Sequence, residues 1–586
     1  MTPTSGRMTY VRSFTPRAGG QHQVVLRISS PDGGTIRFHD IKLIEGGQDS
    51  PVFSPESIAL HEVLYQDLRG GKTVADPLPV MNQAHSIMVP AKQTRQVWLS
   101  LSTGSLPPGR YRGSLAITPM DATLPGKSAP IEIDILPVRL PDRMPINVFN
   151  WDYAKDEHYV RDLVAHRNNT FLLSTGCRMS FDAQGNPKAP VDWRGYDGLL
   201  QVKLRHAREQ GGIILFSYGI IRDFHNGPAT SHGWEFMSEP WQRAFKAWVI
   251  EFERHLRDDI GMGHEEYAVQ LWDEATGQNA ALTVQAGEFM RGFAPKMRTC
   301  MDGAQNLAEV RALDPVIDLW IPHMTTLYSH AEKTELRALY RQLSERGEPV
   351  WTYTCSTEMK ALDPLDYYRL KEWRVWDLGL EGSCYWAYNS WRGDPWNDFD
   401  GEIADCGTIY DGQTGPISSR RWEATLEGRD DYLTMHTLRE AARRAGKETG
   451  DTVAALIGSI VAETIASPRD LELFGRQRAR LLEATRRHCA AHIPSLTAPP
   501  SFSYAGGAVT CSWAADQPTA GCLYYRVSGD AEFSTLDFDM AAKHRGVTAP
   551  MLSGRNIEWY LLYWNEDGGM AAEVSGLSQS GWFVTG

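Results

Sequence analysis

The chain of 586 residues carries 59 Lys and Arg against 72 Asp and Glu, a net charge of −13. That balance excludes a surface built mainly to hold phosphate backbones, and the length provides for about three to five domains at roughly 100–200 residues each. With 42% hydrophobic and 22% charged residues, the composition is that of a folding globular protein and excludes general disorder, collagen-like repeats and coiled coil.

Residues 8–46 alternate apolar and polar, as in Val24-Val25-Leu26-Arg27-Ile28 and Ile36-Arg37-Phe38-His39-Asp40-Ile41-Lys42-Leu43, around the turn Pro31-Asp32-Gly33-Gly34. The pattern predicts two or three strands, too few for an independent sheet. Gly34 to Leu43 resembles the closing strand of a carbohydrate-binding jelly roll, so residues 1–49 are expected to be a strand-rich remnant of such a module. Across 50–143 short strand-like runs continue, among them Gln96-Val97-Trp98-Leu99-Ser100-Leu101 and Ile131-Glu132-Ile133-Asp134-Ile135-Leu136, split by turns such as Pro107-Pro108-Gly109. These predict a β-sandwich.

From 144 to 448 apolar strands alternate with amphipathic helices, the pattern of parallel strands with helical crossovers. Eight strands are expected, at Ile146–Trp151, Phe171–Ser174, Gly212–Tyr218, Tyr267–Trp272, Arg298–Met301, Val316–Pro322, Pro349–Cys355 and Gly382–Tyr388. A TIM-type (β/α)8 barrel is the leading fold, with an open doubly wound sheet as the alternative. A long helix is expected over Ser419–Ala445, a helical extension with an Arg-rich solvated face over 449–494, and a Pro-rich linker over Pro494–Pro500. Residues 495–586 then read as a second β-sandwich-like domain. The fold class is multidomain α/β plus β.

Eight Cys with no C-x-x-C spacing indicate neither a zinc ribbon nor a dense disulfide framework, although Cys511 and Cys522 are candidates for one bridge across a hairpin. No metal or cofactor is expected. The opening Met1–Arg7 leads into polar, alternating sequence without an apolar core of the secretory kind, and the apolar stretch Val453–Ala466 is short and interrupted for a bilayer. A soluble chain is expected, with no membrane span and no nucleic-acid partner.

Several chemistries lack their motifs. Gly126-Lys127-Ser128 ends like a P-loop, but Asp121 stands where the first Gly belongs; His264-Glu265-Glu266 does not complete H-E-x-x-H; G-x-G-x-x-G and G-x-S-x-G do not occur. What remains is Tyr267-Ala268-Val269-Gln270-Leu271-Trp272-Asp273-Glu274, an apolar strand ending in two carboxylates at the rim where a barrel carries its active site. Neighbours in a regular strand face opposite ways, so both acids share a pocket only if the strand ends there; an acidic turn that caps the following helix is the bland alternative. Polar and aromatic groups accumulate at four other strand ends, in Asn150-Trp151-Asp152, Ile321-Pro322-His323, Trp351-Thr352-Tyr353-Thr354-Cys355 and Tyr385-Trp386-Ala387-Tyr388-Asn389-Ser390-Trp391. Together they would make a pocket with stacking faces and hydrogen-bonding groups, which suits a sugar.

The run Trp386-Ala387-Tyr388-Asn389-Ser390-Trp391 with Asp394-Pro395-Trp396, then Gly415-Pro416-Ile417-Ser418-Ser419-Arg420-Arg421-Trp422-Glu423 and Glu427-Gly428-Arg429-Asp430-Asp431-Tyr432-Leu433, resembles the catalytic region of glycoside hydrolase family 123 and the related DUF4091 proteins. The likeness extends over roughly 55–445, including Asp76-Pro77-Leu78 and Pro108-Gly109-Arg110-Tyr111-Arg112-Gly113. The resemblance implies a retaining exo-β-N-acetylgalactosaminidase in which the substrate's own 2-acetamido oxygen attacks the anomeric carbon. It makes Glu274 the acid/base and Asp273 the partner of the acetamido N–H. Asn150, Trp151, His323, Tyr353, Trp386, Tyr388, Asn389 and Trp391 would then bind a glycan substrate, with Tyr353 on the acetamido carbonyl. Adjacent carboxylates also disfavour joint ionisation, which keeps one protonated near neutrality. Ala275 stands where the family commonly has Pro, which bears on the loop's shape. Two alternatives are a glycosidase for a sugar without the acetamido group, using Asp152 or Asp302 as nucleophile or base, and a non-catalytic glycan-binding protein.

Overall fold

The computed structural model describes residues 9–10, 21–30, 34–45, 58–574 and 582–583, with short breaks at 83, 104–105, 122, 357, 391–392, 506, 528–529, 531–532 and 549–555. The chain divides into two compact units. One comprises Met1–Leu64, Pro77–Asp142 and Asp430–Gly586, the other Tyr65–Asp76 and Arg143–Arg429.

The second unit is built on eight parallel strands: β1 (Asn147–Asn150), β2 (Phe171–Ser174), β3 (Ile214–Ser217), β4 (Tyr267–Gln270), β5 (Thr299–Gly303), β6 (Leu319–Pro322), β7 (Tyr353–Cys355) and β8 (Gly382–Trp386). Each falls within or against a stretch expected from the sequence. The helices that follow them in turn are α1 (Glu157–Ala165), α2 (Arg194–Gln210), α3 (Glu239–Arg254), α4 (Gly277–Arg291), α5 (Leu307–Leu313), α6 (Lys333–Glu345), α7 (Leu370–Leu378) and α8 (Arg420–Arg444). Pairing runs in the orders β2-β3-β4-β5-β6 and β1-β8-β7. Parallel bridges Trp320↔Val350 and His323↔Tyr353 join the β6 and β7 segments, and the amides of Asn169 and Thr170 ahead of β2 donate to the Val148 carbonyl of β1.

These strands read as near-continuous apolar runs because both faces are covered. Phe149, Leu172, Leu215, Ala268, Cys300, Ile321, Tyr353 and Cys384, one from each strand, share a single buried cluster. On the outer layer α2 buries Tyr196, Leu200, Leu204 and Ala207 along one stripe, the spacing of an amphipathic helix. Local chemistry sets the ends: Asp156 accepts the His158 N–H at the start of α1, and Gly211 takes φ 73 to stop α2.

The hairpin Tyr65–Leu68 and Lys72–Ala75 belongs to this unit, although it lies among sandwich-like strands in sequence. Its anchors are remote. Arg69 Nε donates to the Asp398 carbonyl at 2.5 Å, Gln66 Nε2 to the Pro395 carbonyl at 3.3 Å, and the Tyr410 hydroxyl to Asp76 at 2.6 Å. Asp76 also takes Arg421 Nε at 3.0 Å, both side chains being buried.

In the first unit two four-stranded antiparallel sheets run Thr9–Tyr10, Gln21–Ser30, Gln93–Ser102, Ile58–Val63 and Lys127–Ile135, Gly109–Pro119, Gly34–Glu45, Ser86–Val89. The strands at 21–45 thus do not stand apart as a remnant; they pair with 93–102 and with 86–89 and 109–119. Leu60, Val97, Leu99, Tyr111, Leu115, Ile117, Ile131 and Ile133, drawn from both sheets, form one core. Near the C-terminus Leu496–Ala505, Ala508–Val527, Ser534–Val547, Asn556–Trp564, Met570–Val574 and Trp582–Phe583 make another antiparallel sheet. Its edge strand absorbs Pro499 and Pro500, which the sequence assigned to a linker. Register shifts between Leu496, Ala498 and Ser501 accommodate them, as prolines in sheets require an edge or a bulge. Cys511 and Cys522 are free thiols within this sheet, so the proposed bridge is not formed.

Among the described residues one helix, Lys447–Ala466, has the length and hydropathy to cross a membrane. The apolar stretch Val453–Ala466, short for a bilayer in sequence, is part of this longer helix. Val453, Ile457, Ile460, Val461 and Thr464 are its buried stripe.

Candidate active site

β4 is wholly buried and its pairing stops at Gln270, so Leu271–Glu274 leave the strand as a turn. Glu274 takes φ 54, a left-handed backbone that costs a residue with a Cβ about 1–2 kcal/mol. Both acids thereby escape the alternation that would set them on opposite faces. Neither caps the next helix, whose N-cap is Thr276, so the bland alternative of a capping turn is not what the chain forms.

The two carboxylates are held from different flanks. Arg222 Nη1, from the short helix Ile220–Phe224 after β3, donates to Asp273 Oδ2. The Tyr353 hydroxyl of β7 donates to Glu274 Oε1. The Arg222 and Asp273 side chains are 32% and 36% exposed, so their pairing orients more than it stabilises. The loop that brings Arg222 in runs directly against the β4 turn. The Ile221 N–H donates to the Leu271 carbonyl at 3.1 Å, and Gly219, at φ 82, leaves no room for a Cβ, which would lie 2.7 Å from Trp272 Cα.

Beneath the pair lies Asp302 of β5, 2% exposed. Its Oδ1 accepts Gln270 Nε2 at 2.6 Å and the Glu274 N–H at 3.2 Å. Burial, reinforced by the Asp273 charge, pushes its carboxyl up to about 8. Asp223, beside Arg222, is raised to about 6 by burial, with Arg222 opposing. Burial and the Asp302 and Glu274 carboxyls keep the Tyr353 hydroxyl protonated, while burial lowers His323 below the usual histidine range against the pull of Glu274.

Of the residues singled out in the sequence, several converge. Tyr353 packs against Trp151 at 5.5 Å and edge-on against His323 at 4.8 Å between ring centroids. His323 Nε2 takes the Cys355 N–H at 3.3 Å. Trp386 packs on the same cluster and donates Nε1 to the Tyr153 hydroxyl at 3.2 Å. Others lie in the wall. Asn150 is buried, with Oδ1 on Arg429 Nη2 at 2.9 Å. Tyr388 is buried, with its hydroxyl on Asp162 of α1 at 2.7 Å, and so points into the strand–helix layer. Asn389 is buried and accepts the Tyr153 N–H at 2.7 Å, which makes it a support for Tyr153. Trp391 lies outside the described residues.

Asp152, one of the alternative nucleophiles, is engaged elsewhere: it forms a buried ion pair with Lys203 of α2 and accepts the Leu172 N–H at 3.1 Å. The sequence reading missed Arg222, Tyr153 and Tyr218, the last stacked on Tyr153 at 6.1 Å. Tyr153 directly follows the Asn150-Trp151-Asp152 end of β1, and Tyr218-Gly219 closes β3, so attention to every strand end would have found them. Among the described residues no group of three or more His, Cys, Asp or Glu is placed to hold a metal ion.

Fold and site together point to the glycosidases: carboxylates at the carboxyl end of a parallel strand, amid aromatic rings and a guanidinium. Residues 220–438 match the family model described as Glycoside hydrolase 123, catalytic domain, so the resemblance read from the strand-end and α8 motifs holds over that span. No curated protein matches the chain. A solved family 123 glycoside hydrolase from Clostridium perfringens, described for glycolipid glycan hydrolysis, is 14% identical, with 80% of this chain and 93% of that chain covered and a TM-score of 0.63; the likeness is one of fold. Looser likenesses are to a family 39 glycoside hydrolase from Bacteroides cellulosilyticus (9% identity, 92% and 100% covered, TM-score 0.35) and to Bacteroides uniformis β-glucuronidase 2 (10%, 95% and 59%, 0.28).

Proposed function

We propose that the chain is a retaining exo-glycosidase that removes terminal β-linked N-acetylgalactosamine, or a close 2-acetamido sugar, by substrate-assisted catalysis on a (β/α)8 barrel flanked by β-sandwiches. The barrel reading is supported by the strand pairings and by the buried cluster to which all eight strands contribute. In the first step the acetamido oxygen bonds to the anomeric carbon as the glycosidic bond breaks. Glu274 gives its proton to the departing oxygen, and Asp273 accepts the acetamido N–H and offsets the oxazolinium charge. In the second, Glu274 takes a proton from water, whose oxygen bonds to the anomeric carbon as the acetamido oxygen leaves, restoring the β-configuration.

The observation that carries this reading is the state of the other carboxyls. A mechanism with an enzyme nucleophile needs a second ionised carboxylate facing the sugar. Of the two carboxylates the sequence offered for that role, Asp152 is spent on Lys203, and Asp302 is buried with its carboxyl pushed up to about 8. An internal nucleophile from the substrate removes that need. Tyr353, expected on the acetamido carbonyl, supports Glu274 in this reading.

The test compares aryl β-N-acetylgalactosaminide with aryl β-galactoside, using wild type and Glu274→Gln. Hydrolysis of the acetamido substrate alone is expected, falling by roughly 10²–10⁴-fold in the variant. Activity confined to the plain galactoside rejects substrate assistance; near-normal turnover by Glu274→Gln rejects the acid/base.

A further inference from the structure

We infer that Asp302 is a positioning residue for Glu274, holding the backbone of the acid/base from beneath through the Glu274 N–H. The inference rests on the reading of Glu274 given above. Left-handed backbone at a residue with a Cβ persists only where its surroundings over-determine it, and here they do. Asp302 Oδ1 takes the Glu274 N–H at 3.2 Å, and Gln270 Nε2, at 2.6 Å, aims that oxygen from the end of β4. Gln305, 1% exposed, joins the two strand ends by donating to the Ala275 carbonyl at 3.0 Å and the Asp302 carbonyl at 2.8 Å. Gly303 completes the cradle: at φ 131, any Cβ there would stand 3.1 Å from Glu274 Cα. Asp302, Gln305 and Gly303 meet the main chain at 274–275, and Gln270 acts on it through Asp302.

Burial and the Asp273 and Glu274 carboxyls of the β4 turn raise the Asp302 carboxyl, against the Glu274 and Gln270 N–H donors; the Cys300, Tyr353, Cys355 and Cys384 side chains face it from β5, β7 and β8. Burial and the two neighbouring carboxyls outweigh the two donors, so the neutral carboxyl is favoured. A neutral acid can accept the amide without setting a third negative charge beside the working pair.

Three variants test this, each checked for folding by circular dichroism and thermal unfolding. Asp302→Ala removes the acceptor; kcat is expected to fall on the order of a hundred-fold, the scale of an ångström-sized misplacement, with KM little changed. Asp302→Asn keeps the oxygen and the neutral charge; kcat at pH 7 is expected to stay within a few-fold of wild type, and an inflection of the wild-type pH profile near pH 8 should vanish. Wild-type kcat in Asp302→Ala, with Glu274→Gln inactive, overturns the inference. So does an Asn variant as impaired as the Ala variant, and if the Ala variant does not fold, a hundred-fold loss of kcat in a folded Asp302→Asn enzyme, which keeps the accepting oxygen, decides against it. An active Glu274→Gln enzyme overturns the acid/base reading instead.

Discussion

Gly219→Ala is the sharpest probe of how the scaffold serves the site. Alanine at φ 82 costs about 1–2 kcal/mol in backbone strain. Its Cβ would lie 2.7 Å from Trp272 Cα, 3.0 Å from the Leu271 carbonyl and 3.1 Å from Asp273 N. Carbon atoms settle at about 3.5–4.0 Å, so the β3 loop and the β4 turn must separate by about 1 Å. None of the three contacts is a flexible side chain that can swing aside. The displaced pieces are those bearing Arg222 and Asp273. A shift of that size costs on the order of a hundred-fold in rate, or about 2.7 kcal/mol of activation free energy. Steady-state hydrolysis of the aryl N-acetylgalactosaminide, alongside urea unfolding, should therefore show kcat falling far more than KM rises, in a protein that remains folded. Wild-type kcat in a variant destabilised by the expected amount would refute the idea that this close approach sets the geometry of Asp273.

Two further outcomes test the buried charges. Lys203→Met strands Asp152 without its cation, both side chains being 1% exposed or less, and should lower stability in urea by about 3–5 kcal/mol; adding Asp152→Asn should recover much of the loss, and a single-variant cost under about 1 kcal/mol would show that the pair is not the anchor. Asp302→Asn should gain stability relative to wild type as pH rises from about 4 to 8. The native carboxyl keeps its proton up to about 8 while the unfolded chain releases it near 3.8, so wild-type stability falls through that window by about 1.4 kcal/mol per pH unit from this group. Chemical denaturation of both proteins at pH 4.5, 6 and 7.5 measures the difference, and a difference independent of pH contradicts it.

The amino-acid sequence by itself determined the eight strands of the second unit and the place where chemistry would gather. A strand covered on both faces must be apolar throughout, and Tyr267–Trp272 running into Asp273 and Glu274 marks its own end. The α8 motifs were likewise legible as family resemblance. Tertiary structure alone decided which polar groups face one another. Lys203 reaches Asp152 across 51 positions because α2 packs over β2 and β3, and Tyr388 meets Asp162 because its ring enters the helix layer. The hairpin at 65–76 joins the second unit through ion pairs and carbonyls more than 300 residues away, which no local pattern encodes. Asp302 is the clearest case. In sequence it is one acid at a strand end; burial and two neighbouring strand ends make it the carboxyl that keeps its proton and receives the Glu274 amide. Periodicity reports the face a residue turns to the core, whereas protonation and partnership depend on which strands and helices meet.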